Sequence, residues 1–184
     1  LNFYYDKLIV DGHTVMLEDG TPLVYQPMEA RLVLTGSQYE KTAGARMKKY
    51  ELDRTAYSDG QLQSNDIVLF RYADAVLMTA EAKCRKGESG QAHLDQIRSR
   101  VGLDPIDCTL DNILDERLRE LMWEGWRRQD LIRFGQFNKQ YDQRVQLPGE
   151  ENGFTCVFPI PNNALSLNKN LTQNRSEEHT SELQ

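Results

Sequence analysis

The rhythm of apolar and polar positions changes along the chain and divides it into three stretches. From residue 1 to 65, short apolar runs alternate with turn signals: Leu8-Ile9-Val10, Asp11-Gly12, Thr14 to Leu17, Asp19-Gly20, then Leu23-Val24-Tyr25. An Asp-Gly pair between apolar runs tolerates the positive φ angles of a tight hairpin turn, so this order predicts a small β-meander. Residues 28 to 65 are less regular, with breaks at Thr35-Gly36-Ser37 and Ser58-Asp59-Gly60.

From 66 to 135 the spacing becomes helical. Asp66 fits an N-cap, after which Phe70, Ala73, Leu77, Ala80 and Cys84 share one stripe that Leu69, Tyr72 and Val76 widen. Gly87 fits the residue just past the helix end. Ala73, Ala75, Ala80 and Ala82 keep side chains small, which lets a neighbouring helix approach. Ser89 can cap a second helix carrying Leu94, Ile97 and Val101 and closed by Gly102, and so short a connection predicts an antiparallel helical hairpin. After Pro105, Thr109 or Asp111 caps a third helix running to about Trp126, with a shorter one following to Phe134. Leu114, Leu118, Leu121, Met122, Gly125 and Trp126 form its apolar face, which has to be buried, and both tryptophans read as packing residues. Two helix pairs in succession predict an α-solenoid.

Residues 136 to 174 read as loop. Phe154 to Phe158 is expected as a short extended segment before Pro159 and Pro161 impose polyproline-type geometry. The Asn-rich turn after them is expected to wrap back onto the helices.

Charge is densest between Ile113 and Gly135. Glu116, Glu120 and Glu124 recur at i, i+4 and i+8, where like charges repel by roughly a few tenths of a kcal/mol per pair. Interleaved arginines offset this, with Asp115 to Arg119, Arg117 to Glu120, and Glu124 to Arg127 and Arg128 at pairing distance on a helix. Such carboxylates read as partly buried ion pairs that fix helix register. A glycosidase instead sets two carboxylates across a cleft. The chain has no Ser/His/Asp order, no HExxH, no phosphate-cradling glycine loop and no Glu-x-x-His pair. No catalytic residue is assigned.

Composition adds limits. At 184 residues and 39% hydrophobic, the chain suits one folded domain. It has no run of about eighteen apolar residues that would make a transmembrane helix. A formal charge of -6 argues against nucleic acid or anionic lipid as a partner drawn by overall charge. Cys84, Cys108 and Cys156 are odd in number and match no metal spacing, so they read as small buried hydrophobes, with one disulfide left open. His13, His93 and His179 are too scattered for a metal cluster, and no cofactor is implied. Arg46, Lys48, Lys49 and Arg54 cluster around Tyr50, as a solvated face or an anion site. Asn2, Phe3, Tyr4 and Tyr5 fit either a sugar-stacking platform or packing beneath the meander.

Three ordered blocks carry a resemblance. Glu116-Arg117, Glu120-Leu121, Glu124-Gly125, Arg127, Asp130-Leu131 and Arg133 resemble the ER-x-x-EL-x-x-EG-x-R-x-x-DL-x-R signature of the SusD/RagB family. Phe70-Arg71-Tyr72-Ala73-Asp74, Leu77-Met78 and Ala80-Glu81-Ala82 are similar to its RYAD-x-LLM-x-AEA helix. Phe158-Pro159-Ile160-Pro161 with Asn168, Asn170-Leu171 and Gln173-Asn174 is similar to its closing element, Lys169 replacing proline. The resemblance implies a mainly α fold: a tetratricopeptide-like α-α superhelix fragment with a small β-meander and irregular loops at the N-terminal side. Residues 1–174 would be the C-terminal part of a single domain, divided at 1–65, 66–135 and 136–174.

The family consists of surface-exposed outer-membrane lipoproteins of Bacteroidetes. Its members capture oligosaccharide or peptide nutrients for import through a SusC-like TonB-dependent transporter. The N-terminal lipid anchor would lie upstream of Leu1, so none of the three cysteines is expected to carry lipid. Ligand contacts in the family lie mainly in loops outside the helices, and none transfers to a matching position here. Arg71, Asp74, Glu81, Glu116, Arg117, Glu120, Glu124, Arg127, Asp130 and Arg133 remain as a structural signature. Residues 175–184, RSEEHTSELQ, resemble the translation of a sequencing adapter, and both ends read as truncations. The competing reading is a helical-repeat scaffold that binds a protein in its groove.

Overall fold

The computed structural model describes residues 3, 4, 6–29, 31, 33–50, 53, 56, 63–140 and 144–174. The chain falls into two compact units, Leu1–Ile67 and Val68–Gln184. The adapter-like stretch 175–184, Asn2 and Tyr5 of the aromatic run, Arg54 of the basic cluster and the Ser58-Asp59-Gly60 break lie outside the described residues.

In the first unit the described strands are β1 (Phe3–Tyr4), β2 (Asp6–Lys7), β3 (Ile9–Val10), β4 (His13–Thr14), β5 (Val24–Tyr25) and β6 (Arg46–Met47). They pair antiparallel as β1 with β6, β2 with β5 and β3 with β4. The Asp-Gly signal works as its chemistry requires. Asp11 and Gly12 take φ of 50° and 80°, closing the β3–β4 hairpin with Ile9 opposite Thr14. At the second turn Asp19 Oδ1 accepts from the Thr21 N–H at 2.9 Å and its hydroxyl at 2.6 Å. Leu8 N–H donates to Leu23 and Leu23 N–H to Val15, which joins the three arms into the expected meander. Arg46 is not a free cation: it donates to the Ala43 carbonyl at 2.6 Å and lies 5.3 Å from the Tyr25 ring centroid.

The second unit is helical, with α1 (Tyr72–Arg85), α2 (Gln91–Arg100), α3 (Leu110–Leu121), α4 (Arg127–Arg133) and α5 (Asn162–Leu167). The fold is mainly α. Its core is Ala73, Val76 and Leu77 of α1 against Leu94 and Ile97 of α2, with Ile106 and Cys108 packed alongside. Gly87 and Gly102 close α1 and α2 as the sequence predicts: each has positive φ, and the next residue returns a hydrogen bond to the carbonyl five positions back.

Several expectations are corrected. α1 starts at Tyr72, not at Asp66. Arg71 is extended at its N-cap (φ −146°, ψ 163°), and Leu69, Phe70 and Tyr72 are exposed. Gly90, not Ser89, holds the N-cap of α2. A Cβ there would fall 2.5 Å from the Ala80 carbonyl oxygen and 3.0 Å from Cys108 Sγ, so the close approach of α2 to α1 needs glycine. Of the four alanines expected to permit it, Ala73 and Ala80 are buried and Ala75 and Ala82 exposed, as is Val101.

α3, capped by Thr109 Oγ1 accepting from Asn112 N–H, stops at Leu121 and does not run to Trp126. Met122 is extended and Trp123 and Gly125 take φ of 60° and 82°. This break directs α4 back so that its Asp130 meets Arg117 of α3. It also dissolves the predicted apolar face, since Leu114 and Leu121 are buried but Leu118 is exposed, and it leaves Trp123, expected to pack, 50% exposed. Trp126 tilts against Phe70, with centroids 5.3 Å apart.

Beyond α4, Phe154–Cys156 is a 3-10 turn, not an extended segment. Pro161 has polyproline geometry (φ −56°, ψ 138°) before the unexpected α5. The Asn-rich turn folds onto the Phe158-to-Ile160 segment. Gln173 bonds both the N–H and the carbonyl of Ile160, at 2.8 and 2.9 Å, and Asn174 donates to the Phe158 carbonyl at 2.6 Å.

Candidate functional site

All ten signature residues lie in the helical unit, nine of them in ion-pair clusters that cross four helix interfaces, α1–α3, α3–α4, α2–α3 and α1–α4. Arg117 is the hub of this network, with a side chain only 2% exposed. Its Nη1 donates to Asp74 Oδ1 of α1 at 2.8 Å and its Nε to Asp130 Oδ2 of α4 at 2.9 Å, and both carboxylates are as buried as the arginine. One guanidinium thereby ties α1, α3 and α4. Its planar fork suits this, because several N–H groups diverge in fixed directions toward separate acceptors.

From Asp130 the network continues. Arg133 Nη2 donates to Asp130 Oδ1 at 2.6 Å while Nη1 bonds Glu81 Oε1, and Arg85 Nε reaches the same Glu81 oxygen at 2.7 Å. Burial opposes the charge on Arg133, but its bonds to Glu81 and Asp130 outweigh burial and raise its pKa above the ordinary guanidinium value.

Two further clusters flank the hub. Arg98 of α2 donates to Glu116 of α3 at 2.7 Å, and Arg119 bonds the same oxygen at 2.8 Å. Arg71 at the start of α1 spans both remaining carboxylates. Its Nε bonds both oxygens of Glu124 at 2.9 Å, its Nη1 bonds Glu120 at 2.5 Å, and its Nη2 bonds the Glu120 carbonyl. Here too burial works against the charge, and bonds to Glu124 and Glu120 prevail and raise the Arg71 pKa. Arg100 adds a second cation on Glu120 at 2.7 Å. Arg127 donates to the Leu114 carbonyl at 3.1 Å.

The partners differ from those that helical spacing predicts. Arg117 goes to Asp74 and Asp130, which are 43 and 13 residues away, and Glu124 goes to Arg71, 53 residues away. Arg119 takes Glu116, three residues back. Arg128 donates to the Thr155 carbonyl at 2.8 Å and lies between the Phe137 and Phe158 rings, 5.0 and 4.5 Å from their centroids. Because α3 ends at Leu121, Glu124 leaves the stripe that spacing assigns to it.

Sequence reasoning missed Glu150, which stands in a run that reads as plain loop. It is fully buried. Its carboxylate accepts from Arg144, from the Thr155 hydroxyl at 2.8 Å and from the Leu147 N–H at 2.9 Å. Burial would raise its pKa, but the Leu147 N–H, the Thr155 hydroxyl and Arg144 together hold it below the ordinary carboxylate value. The available signal was weak: Gly149 and Gly153 bracket it, both with positive φ.

A groove of about 810 Å³ opens between α3, α4 and the turn after α4. Leu114, Leu118 and Leu131 contribute its apolar lining, and Asp111, Asp115 and Lys139 are among its polar residues. Asp111 and Asp115 are one helical turn apart on α3. They therefore stand on one wall and cannot flank a scissile bond from opposite sides. Among the described residues no group of three or more His, Cys, Asp or Glu side chains could hold a metal ion. No helix of the described residues is long and apolar enough to cross a membrane.

A family model, described as the SusD family, matches residues 33–176. The starch-binding protein SusD of Bacteroides thetaiotaomicron is 32% identical over 136 residues, which is 70% of this chain and 25% of that protein. A SusD-like protein of Formosa agariphila is 30% identical over 159 residues, or 74% of this chain and 30% of its own length. The chain thus spans about a quarter to a third of the length of these curated relatives. Among solved structures, surface glycan-binding protein A from Bacteroides thetaiotaomicron superposes with a TM-score of 0.54 at 29% identity, covering 74% of this chain and 30% of that one. B. fragilis NanU superposes with a TM-score of 0.50 over 85% of this chain and 33% of its own, at 24% identity, which speaks for the fold alone.

Proposed function

The chain belongs to the SusD family, and from that membership we propose that it is the C-terminal part of a single-domain protein that captures nutrient glycans at the cell surface without cleaving them. Import would follow through a SusC-like TonB-dependent transporter, with the protein held at the outer membrane by an N-terminal lipid anchor. The observation that carries the non-catalytic part is the pairing of the signature carboxylates. Asp74, Glu81, Glu116, Glu120, Glu124 and Asp130 each accept from at least one guanidinium. A carboxylate whose oxygens are taken up by guanidinium N–H groups is fixed in place and turned away from a substrate, which suits neither a general acid nor a mobile nucleophile. The network sets the geometry of α1 to α4, and those helices then support loops that meet the ligand. The glycan part is supported by the starch-binding and glycan-binding relatives.

The test is calorimetric titration of the full-length protein against a panel of oligosaccharides and peptides. Saturable glycan binding is expected. Saturable binding of peptides, with none to any glycan, would move the substrate class to the other nutrient. A second reading, a scaffold for a protein partner, is favoured by the open groove lined by Leu114, Leu118 and Leu131. It predicts that replacing Leu118 by Asp abolishes a protein complex and leaves glycan binding intact.

A further inference from the structure

Two of the three cysteines are brought together, and the signature network uses neither. Cys84 is in the last turn of α1 and Cys108 in the connection between α2 and α3, 24 residues apart in sequence. Both thiols are free and partly buried in this structure. The Cys84 thiol meets the Cys108 backbone: its Sγ donates to the Cys108 carbonyl oxygen at 3.6 Å, and that oxygen is two bonds from the Cα bearing the Cys108 thiol.

The Cys108 backbone is also clamped. Its N–H donates to Gln91 Oε1 at 2.9 Å while Gln91 Nε2 donates to the Ile106 carbonyl at 2.8 Å, so one side chain of α2 fixes the connection on both sides of residue 107. On the other flank the Cys108 sulfur lies against Gly90, 3.0 Å from where a Cβ on that residue would be. The sulfur is therefore packed into the same α1–α2 contact that Cys84 borders. Burial, then the nearness of Cys84, raises the Cys108 thiol pKa, while the Gly90 N–H opposes the shift. Cys156 stands elsewhere, its thiol donating to Asn138 Oδ1 at 2.9 Å in the loop organised by Glu150.

We propose that Cys84 and Cys108 are an oxidisable pair, and that their disulfide staples the end of α1 to the α2–α3 connection, leaving Cys156 as the unpaired thiol. The oxidant is a disulfide donor. The thiolate of one cysteine attacks the donor disulfide, forms a mixed disulfide and releases one donor thiolate. The thiolate of the second cysteine then attacks the protein sulfur of that mixed disulfide, forms the Cys84–Cys108 bond and expels the second donor thiolate. The protein loses two hydrogens and two electrons, the donor is reduced to two thiols, and the protons pass to them. The 3.6 Å contact between Cys84 Sγ and the Cys108 carbonyl oxygen already holds the two residues side by side. Closing this loop removes freedom from the unfolded chain, so the folded state gains.

The test uses the full chain with oxidised glutathione as the donor. After oxidation, free thiols are alkylated and the protein is digested with trypsin without reductant. Cleavage after Lys83, Arg85, Arg100 and Arg117 frees Cys84-Arg85 and Val101–Arg117 as the two partners. The expected product is these two peptides joined, two hydrogens lighter than their sum, with Cys156 alkylated. The oxidised chain should melt roughly 5 °C or more above the reduced one. Cys84→Ser should abolish both the joined peptide and the gain, and Cys156→Ala should change neither. Full alkylation of Cys84 and Cys108 after oxidation, a joined peptide containing Cys156, or a link with no rise in melting temperature would each overturn the proposal.

Discussion

Replacing Arg117 by Met isolates the hub of the network. The thioether chain fills much of the same space, so packing changes little and the lost charge dominates. Asp130 keeps Arg133 at 2.6 Å, whereas among the described residues Arg117 is the one cation paired with Asp74, so the cost falls mainly on one buried carboxylate. Removing one partner of a buried pair costs about 3–5 kcal/mol, and exposures of 2% on both side chains leave no reason to discount it for solvent. The expected loss is about 4 kcal/mol in urea unfolding followed by circular dichroism, or a fall of roughly 10 °C in melting temperature for a chain of this size. Asp74→Asn in the Arg117→Met background removes the stranded charge and should recover roughly 2 kcal/mol, a coupling that separates a charge effect from a packing effect. A single-mutant cost below about 1 kcal/mol, or no recovery in the double mutant, would refute the reasoning.

Other outcomes follow from the same geometry. Gly90→Ala drives a Cβ to 2.5 Å from the Ala80 carbonyl, and the forced separation of α1 and α2 should cost about 1–3 kcal/mol in the same unfolding assay. Gly125→Ala meets nothing within 4 Å but keeps φ near 82°, so backbone strain alone should cost about 1 kcal/mol. Glu150 has a depressed pKa in the folded state, so its contribution is fully present above the ordinary value of 4.5 and fades as pH falls through the lower folded value. Glu150→Gln should therefore lower stability at neutral pH and flatten the decline of the unfolding midpoint below about pH 4.5.

What the sequence made legible was local. The Asp11-Gly12 hairpin, the Thr109 cap and the Gly87 and Gly102 helix ends each depend on a few neighbouring residues whose chemistry permits little else. The helix pairs were legible for the same reason, since Leu94 and Ile97 keep helical spacing. The ion pairs were legible as residues but not as partners. Spacing on a single helix pairs Arg117 with Glu120, but the break at Met122–Gly125 sends α4 back across α3 and offers Asp130, while α1 offers Asp74. The break itself rests on Trp123 in a left-handed conformation, which nothing about a tryptophan announces. Glu150 was hidden because burial of a loop carboxylate is decided by side chains that arrive from several positions at once. The groove was hidden because α3 was expected to bury its whole apolar face.

The account turns on the claim that the signature carboxylates lock helices and perform no chemistry. The most direct test is prolonged incubation of the full-length protein with a glycan it binds, with chromatography of the oligosaccharide before and after, for the natural sequence and for Glu116→Gln and Glu120→Gln. The account predicts binding with the oligosaccharide recovered intact in all three. New reducing ends from the natural sequence, lost in either variant, would contradict it.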